Sequence, residues 1–151
     1  MPTRTLGARK RIALVAHDNK KQELIEWALQ NKVTLAKHRL YGTGTTGTMI
    51  ENALDQSVNK FLSGPLGGDQ QIGAAIAEGS LDMLIFFWDP MEAQPHDPDI
   101  KALLRLASVW NIPIATTRST ADFLMTSHLM NEDYDCVIVD FSSYIKRVIG
   151  H

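Results

Sequence analysis

The chain has 151 residues, with 15 basic and 17 acidic side chains and a formal net charge of −2. Its length fits one domain over residues 1–151, and 44% apolar with 21% charged residues is typical of a soluble globular protein. The near-neutral charge argues against nucleic acid as a partner, and no apolar stretch is long enough to span a membrane. The first apolar run is too short for a signal-peptide core, so we expect a cytoplasmic protein.

Apolar runs alternate with helix-period segments along the chain, which predicts an α/β fold with a mostly parallel sheet. We expect strands over 11–16, 38–42, 58–63, 83–88, 112–116 and 136–139. We expect helices over 20–31, 46–54, 69–78, 99–110, 120–126 and 142–149. The run 83–88 is apolar throughout, which favours the centre of the sheet. This order of elements predicts a single doubly wound, flavodoxin-like domain with five or six strands flanked by helices.

Four of the predicted strands end at clusters of small, hydroxyl and acid–base residues. His17 and Asp18 follow the first strand, and the loops 42–47, 63–69 and 89–99 follow the next three. The carboxyl ends of parallel strands share one edge of a sheet, and open α/β sheets bind ligands there. We therefore expect these clusters to converge on a site for a small, anionic, acid–base-labile substrate.

The loop 42–47 has the spacing G-x-G-x-x-G between a strand and a helix. A dinucleotide fingerprint is disfavoured, because the loop follows the second strand and the next strand lacks a terminal acid. The loop offers hydroxyls and a backbone that suit one phosphate, at Thr43, Gly44, Thr45 and Thr46. A tight turn with a threonine N-cap is the alternative without a ligand.

The loop 63–69 has three glycines in five residues, which allow its backbone to approach a ligand closely. It begins with Ser63 and Gly64 and ends at Asp69, where the next helix starts. An aspartate in that position is commonly an N-cap. The glycines around it favour a second interpretation, in which the carboxylate acts as a general base.

Two histidines flank these loops, and each has a structural alternative. His17 is either a hydrogen-bonded structural residue or a catalytic one. His96 and Asp99 are close enough in sequence to address one small ligand. Lys21 is three residues from Asp18, so it can pair with that carboxylate, reach an anion, or lie solvated on its helix. A zinc site on His17, His96 and nearby carboxylates matches no standard spacing, so no metal is expected.

The chain resembles the methylglyoxal synthase family. The resemblance rests on five blocks in the family's order, which read IALVAHD, TGTTG, SGPLGGDQQ, FFWDP and PHDPD. It covers nearly the whole chain, and it implies an enzyme that converts dihydroxyacetone phosphate into methylglyoxal and inorganic phosphate without a cofactor. It also implies a homohexamer that phosphate inhibits.

The resemblance also implies roles for individual residues. Asp69 would take a proton from the carbon next to the carbonyl, His96 would polarise the carbonyl and enediolate oxygens, and Asp99 would assist proton transfers. Asp89 would support the site. The residues that would bind substrate and phosphate are His17, Asp18, Lys21, Thr43, Gly44, Thr45, Thr46, Ser63 and Gly64.

One position departs from the family pattern. A family arginine near the C-terminus is thought to reach the phosphate of a neighbouring subunit. Arg147 is the only arginine available here, and an ungapped match places it one residue early. On a helix that is a rotation of about 100°.

A binding module is the main rival to an enzyme. Domains of this architecture also serve as regulatory modules that bind phosphorylated or nucleotide effectors without chemistry. The combination of His17, Asp69, His96 and Asp99 favours an enzyme. A nucleotide-binding protein is the third hypothesis.

Overall fold

The computed structural model describes residues 1–142 and 144–145. The strands are β1 (Thr3–Leu6), β2 (Arg11–Ala16), β3 (Arg39–Thr43), β4 (Val58–Phe61), β5 (Met83–Phe87), β6 (Ile114–Ala115) and β7 (Tyr134–Val137). The α-helices are α1 (Lys21–Gln30), α2 (Lys32–Leu35), α3 (Gly44–Leu54), α4 (Gly68–Glu78), α5 (Asp97–Val109) and α6 (Arg118–Thr126). Short 3-10 turns occupy Asp18–Lys20, Gly64–Leu66 and His128–Asn131.

The predicted parallel sheet is confirmed, with five strands in the order β4-β3-β2-β5-β6. Numbered along these strands alone, the order is 3-2-1-4-5, whereas a flavodoxin sheet has 2-1-3-4-5. The likeness to flavodoxin therefore does not extend to strand order. β5 is internal, but β2 occupies the middle position. Burial does not separate the two strands, because β5 is buried throughout and β2 is buried from Ile12 to Ala16.

The last predicted strand does not join this sheet. β7 pairs antiparallel with β1, which the sequence did not predict, in a separate two-stranded sheet. The register places Thr3 opposite Val137 and Leu6 opposite Tyr134. β1 is short and mostly polar, and only Leu6 in it is buried, so its hydrophobic pattern is too weak to identify it.

Alternating side chains of β2 fill two cores, one on each face of the sheet. Ile12 and Leu14 pack with residues of α1 and α3, including the fully buried Trp27. Ala13 and Val15 pack with residues of α4 and α5. Helices on both faces of a parallel sheet leave its carboxyl edge as the place where polar loops meet.

Helices α4 and α5 approach each other closely at Gly73. A Cβ atom on Gly73 would lie 2.9 Å from Cδ1 of Leu106, so a larger residue would require that leucine side chain to shift. The contact sets the first turns of α4 and α5 side by side. Those turns carry the predicted acid–base residues Asp69 and Asp99.

The predicted C-terminal helix over 142–149 is described only in part. Ser142, Tyr144 and Ile145 are helical, and Arg147 lies outside the described residues. Across residues 1–142 and 144–145, no helix has the length and apolar character needed to cross a membrane.

Candidate active site

A cavity of about 130 Å³ opens at the carboxyl edge of the sheet. It lies beside the point where β2 is flanked by β3 on one side and β5 on the other, which is the switch point of the strand order. Its predicted members are His17, Asp18, Lys21, Thr43, Gly44, Thr45, Thr46, Ser63, Gly64, Asp69 and His96. Drug-sized ligands occupy sites of roughly 300–1,000 Å³, so this cavity favours a much smaller molecule than a dinucleotide.

One wall of the cavity is the start of helix α3. Thr43 occupies the N-cap position in an extended conformation, yet its hydroxyl makes no capping hydrogen bond. Gly44 has a positive φ of 45°, and a Cβ there would lie 3.0 Å from Cβ of Ser63. The threonine loop and the 63–69 loop are therefore in direct contact, beside the positive end of a helix of 11 residues.

Lys21 places an ammonium group on the same wall. Its Nζ donates to Oγ1 of Thr45 at 2.9 Å and pairs with Oδ1 of Asp18 at 2.8 Å. The hydrogen bond from Lys21 holds the pKa of the Asp18 carboxyl below its ordinary value. Of the alternatives for Lys21, the pairing with Asp18 is the one observed, and the ammonium also faces the cavity.

Asp69 lies in the first turn of α4 and is only 3% exposed. The N-cap of this helix is Gly67, so the interpretation of Asp69 as an N-cap is wrong. Among the described residues, its Oδ2 has no hydrogen-bond partner. Burial raises the pKa of Asp69, and nearby His96 offsets part of that effect. A buried carboxyl without a partner is costly to the fold, which favours a chemical role.

His96 faces Asp69 across the cavity, with Nε2 3.9 Å from Oδ2 of Asp69. That gap exceeds a hydrogen bond, and Nδ1 of His96 is buried without a partner within residues 1–142 and 144–145. Gly64 lies against both groups, because a Cβ on it would come within 3.2 Å of Oδ2 of Asp69 and 3.4 Å of Nε2 of His96. Only a glycine leaves this space open.

His17 contributes a third acid–base group. The backbone N–H of Asp89 donates to its Nδ1 at 3.0 Å, so the neutral ring carries its proton on Nε2. Burial lowers the pKa of His17, and the neighbouring His96, at 5.6 Å between ring centroids, lowers it further. Nε2 of His17 is buried and has no hydrogen-bond partner in the part of the chain that the structure describes. The ring is therefore a neutral donor on the cavity wall.

Two predicted residues stand behind the cavity rather than on it. Asp89 is buried, and its pKa lies below the ordinary value because Met91 N–H and the Asn19 amide donate to its carboxylate. Asp99 is half-buried one turn behind His96, and its charge contributes to the raised pKa of Asp69. Both can influence lining residues, but neither lines the cavity.

Sequence reasoning missed several lining residues. Gln94, Pro65 and Phe86 line the cavity together with Val15 and Ala16. Val15, Ala16 and Phe86 lie at strand ends, where their apolar side chains indicate core packing. Gln94 belongs to no recognisable motif. Within residues 1–142 and 144–145, no group of three or more histidine, cysteine or acidic side chains is placed to bind a metal ion.

Comparison with known proteins identifies the family. Residues 23–116 match the family model of the MGS-like domain. The methylglyoxal synthase of Sodalis glossinidius is 58% identical over 145 residues, which cover 96% of this chain and 95% of the relative. The crystal structure of methylglyoxal synthase from Elizabethkingia anophelis matches with a TM-score of 0.92 and 52% identity, over 97% of both chains. This chain belongs to the methylglyoxal synthase family.

A further relative agrees with this assignment. The methylglyoxal synthase of Pectobacterium atrosepticum is 57% identical over 144 residues, which cover 95% of each chain. The family predicted from the five sequence blocks is confirmed, and with it the α/β fold class. The expectation of a carbon–oxygen lyase of the methylglyoxal synthase type is confirmed by the same relatives.

Proposed function

We propose that this protein converts dihydroxyacetone phosphate into methylglyoxal and inorganic phosphate, with Asp69 as the catalytic base. The observation that carries the assignment of the base is the buried Asp69 carboxyl, whose Oδ2 has no partner and lies 3.9 Å from Nε2 of His96. The phosphate-binding wall of the same cavity supports a substrate that carries this group.

The phosphate binds at the start of α3. Backbone amides at the helix N-terminus, together with the hydroxyls of the threonine loop, surround an anion with donors. Lys21 adds a positive charge beside Thr45. Binding at this wall places the three carbons of the substrate towards Asp69 and His96.

Asp69 first removes a proton from the carbon that bears the free hydroxyl. A carboxyl with a raised pKa is a stronger base than an ordinary aspartate. The electrons move onto the carbonyl oxygen and form an enediolate. His17 and His96 stabilise this charge. The neutral His17 donates a hydrogen bond from Nε2, and His96 adds a second polar group within the same cavity.

Phosphate leaves in the second step. The enediolate oxygen takes up a proton and gives the enediol. The hydroxyl of the enediol then passes its proton to the leaving phosphate, its electrons form an aldehyde, the double bond shifts, and the carbon–oxygen bond to phosphate breaks. The product is the enol of methylglyoxal, which takes up a proton at its terminal carbon. The phosphate wall fixes the breaking bond out of the enediolate plane, and this favours elimination over isomerisation. Asp99, behind His96, assists the proton transfers.

The test follows both products of one reaction. Purified protein is incubated with dihydroxyacetone phosphate, and phosphate and methylglyoxal are measured together. Equal release of the two supports the proposal. Tight binding of phosphate without turnover would support a ligand-sensing module instead.

The remaining expectations rest on the family and stay proposals. We propose a cytoplasmic homohexamer of a single domain that works without a cofactor and is inhibited by phosphate. Light scattering measures the oligomer, and turnover at increasing phosphate measures inhibition. Arg147 is proposed to reach the phosphate of a neighbouring subunit, so Arg147→Ala should weaken phosphate inhibition more than it lowers kcat.

A further inference from the structure

The side-chain amide of Asn19 joins two loops of the site. Its Nδ2 donates to Oδ2 of Asp89 at 3.0 Å and to Oε2 of Glu92 at 3.1 Å. Asn19 lies in the turn after β2, between His17 and Lys21, whereas both carboxylates belong to the loop after β5. Both hydrogens of one amide are thus used to connect the two segments.

The connected segments carry the acid–base groups of the site. The loop after β5 continues from Glu92 to Gln94 and His96, which both line the cavity. Asp89 holds His17 through its backbone, since its N–H donates to Nδ1 of the ring at 3.0 Å. The amide of Asn19 therefore acts on both histidines, through Asp89 on one and through Glu92 on the other.

A hydrogen-bond donor is needed at this position because both acceptors are carboxylates. Asp89 is buried, and Glu92 is exposed but bound to the same nitrogen. The two negative groups repel each other unless a donor lies between them. The charge of Lys20 also helps to lower the pKa of Asp89, but the Lys20 ammonium is paired with Glu23 at 3.5 Å. Without the Asn19 amide, the carboxylates would separate and the loop would move outward.

We infer that Asn19 is a positioning residue of this enzyme, which fixes the loop 88–96 against the turn after β2 so that His17 and His96 face the same substrate. The inference rests on the proposed function. Asn19 touches neither the cavity nor the reacting atoms, so its effect is on geometry. It should lower kcat when lost and leave the affinity of the phosphate wall unchanged.

The sharpest test changes the amide to a carboxylate. Asn19→Asp places a third negative charge against Asp89 and Glu92, and kcat should fall by about 10- to 100-fold. Asn52→Asp on α3 is the matched control, because it is exposed and adds the same charge. Affinity for inorganic phosphate, measured by calorimetry, should stay within about twofold of the parent, since Lys21 and the threonine loop are untouched.

A compensating variant separates positioning from general damage. In Asn19→Asp with Glu92→Gln, donor and acceptor exchange places, and one hydrogen bond between the loops is restored. Recovery of about threefold or more in kcat over the single variant supports the inference, and so does a shift of the His17 imidazole 15N signals in the single variant that the double variant reverses. Asn19→Ala, which adds no charge, should lose less than Asn19→Asp.

Two results would overturn the inference. One is an Asn19→Asp enzyme with kcat within twofold of the parent. The other is a loss that Glu92→Gln leaves unchanged, accompanied by weaker phosphate binding. Both presuppose a parent enzyme that turns over dihydroxyacetone phosphate, so inactivity of the parent would instead count against the proposed function.

Discussion

Two aspartates of this protein are almost equally buried and lie at opposite edges of the sheet. Asp82, 2% exposed, precedes β5 at the amino edge and accepts three hydrogen bonds from Arg11, at 2.8, 2.9 and 3.0 Å. Asp69, 3% exposed, lies at the carboxyl edge with Oδ2 unpaired. Burial alone therefore does not distinguish a structural carboxylate from a reactive one. The hydrogen-bond partners distinguish them: donors of Arg11 occupy the carboxylate of Asp82, whereas Oδ2 of Asp69 has no donor among the described residues and stays open to a proton from a substrate.

The largest expected effect comes from Asp69→Asn. The amide keeps the size of the side chain but is not a base, so kcat should fall by about three to five orders of magnitude while the fold is retained. Turnover of dihydroxyacetone phosphate and circular dichroism measure the two properties. A variant that keeps most of its rate would reassign the base, with Asp99 the next candidate.

Asp82→Ala should lower the stability of the fold and leave kcat unchanged. It removes the carboxylate partner of Arg11, and breaking a buried ion pair costs about 3–5 kcal/mol. The Arg11 side chain is 32% exposed, so water replaces part of the loss and about 3 kcal/mol is expected. Urea unfolding measures this loss in the free energy of unfolding. Per folded molecule, kcat should be unchanged, and a large fall in kcat would break the contrast with Asp69.

Gly64→Ala tests the space between the acid and the histidine. Its Cβ would lie 3.2 Å from Oδ2 of Asp69 and 3.4 Å from Nε2 of His96. The methyl group should displace the Asp69 carboxyl and the His96 ring, and kcat should fall about 100-fold with little change in stability. Gly7→Ala is the control, because its nearest neighbour would be the carbonyl oxygen of Arg9 at 3.8 Å. Equal kcat in the two variants would contradict the assigned geometry.

The smallest expected effect is the pH dependence of stability. Burial raises the folded-state pKa of Asp69 above the ordinary 3.8, so its ionised form destabilises the fold at neutral pH. As the pH falls through the folded-state pKa towards 3.8, this destabilisation disappears. Asp69→Asn should therefore have a higher Tm than the parent at pH 7, with a difference that narrows as the pH approaches 4. A Tm difference that stays constant from pH 7 to pH 4 would show that the ionisation of Asp69 does not cause the destabilisation.

Much of this fold could be predicted because its signals are local. β2 and β5 are buried, mostly apolar runs, and each ends two residues before an aspartate that marks the boundary. The pairing of β1 with β7 joins residues about 130 positions apart, and nothing in Thr3–Leu6 indicates its partner. Long-range pairing of a short polar edge strand depends on tertiary context, which periodicity does not report.

The site was predictable where residue type and position both indicated chemistry. Asp69, His96 and the threonine loop stand in recognisable blocks at strand ends, and the structure brings them to one cavity. Asn19 and Gln94 were missed because an isolated amide carries no signal until its neighbours in space are known. For the same reason, the sequence could not separate Asp99, behind the cavity, from residues that line it.

The β1–β7 pair has a consequence for synthesis on the ribosome. β1 leaves the exit tunnel before the five strands of the parallel sheet, but its antiparallel partner is translated after all of them. At about 5–20 residues per second, β1 waits several seconds or more with its backbone groups unpaired. Closure of this ribbon therefore cannot precede translation of the parallel sheet.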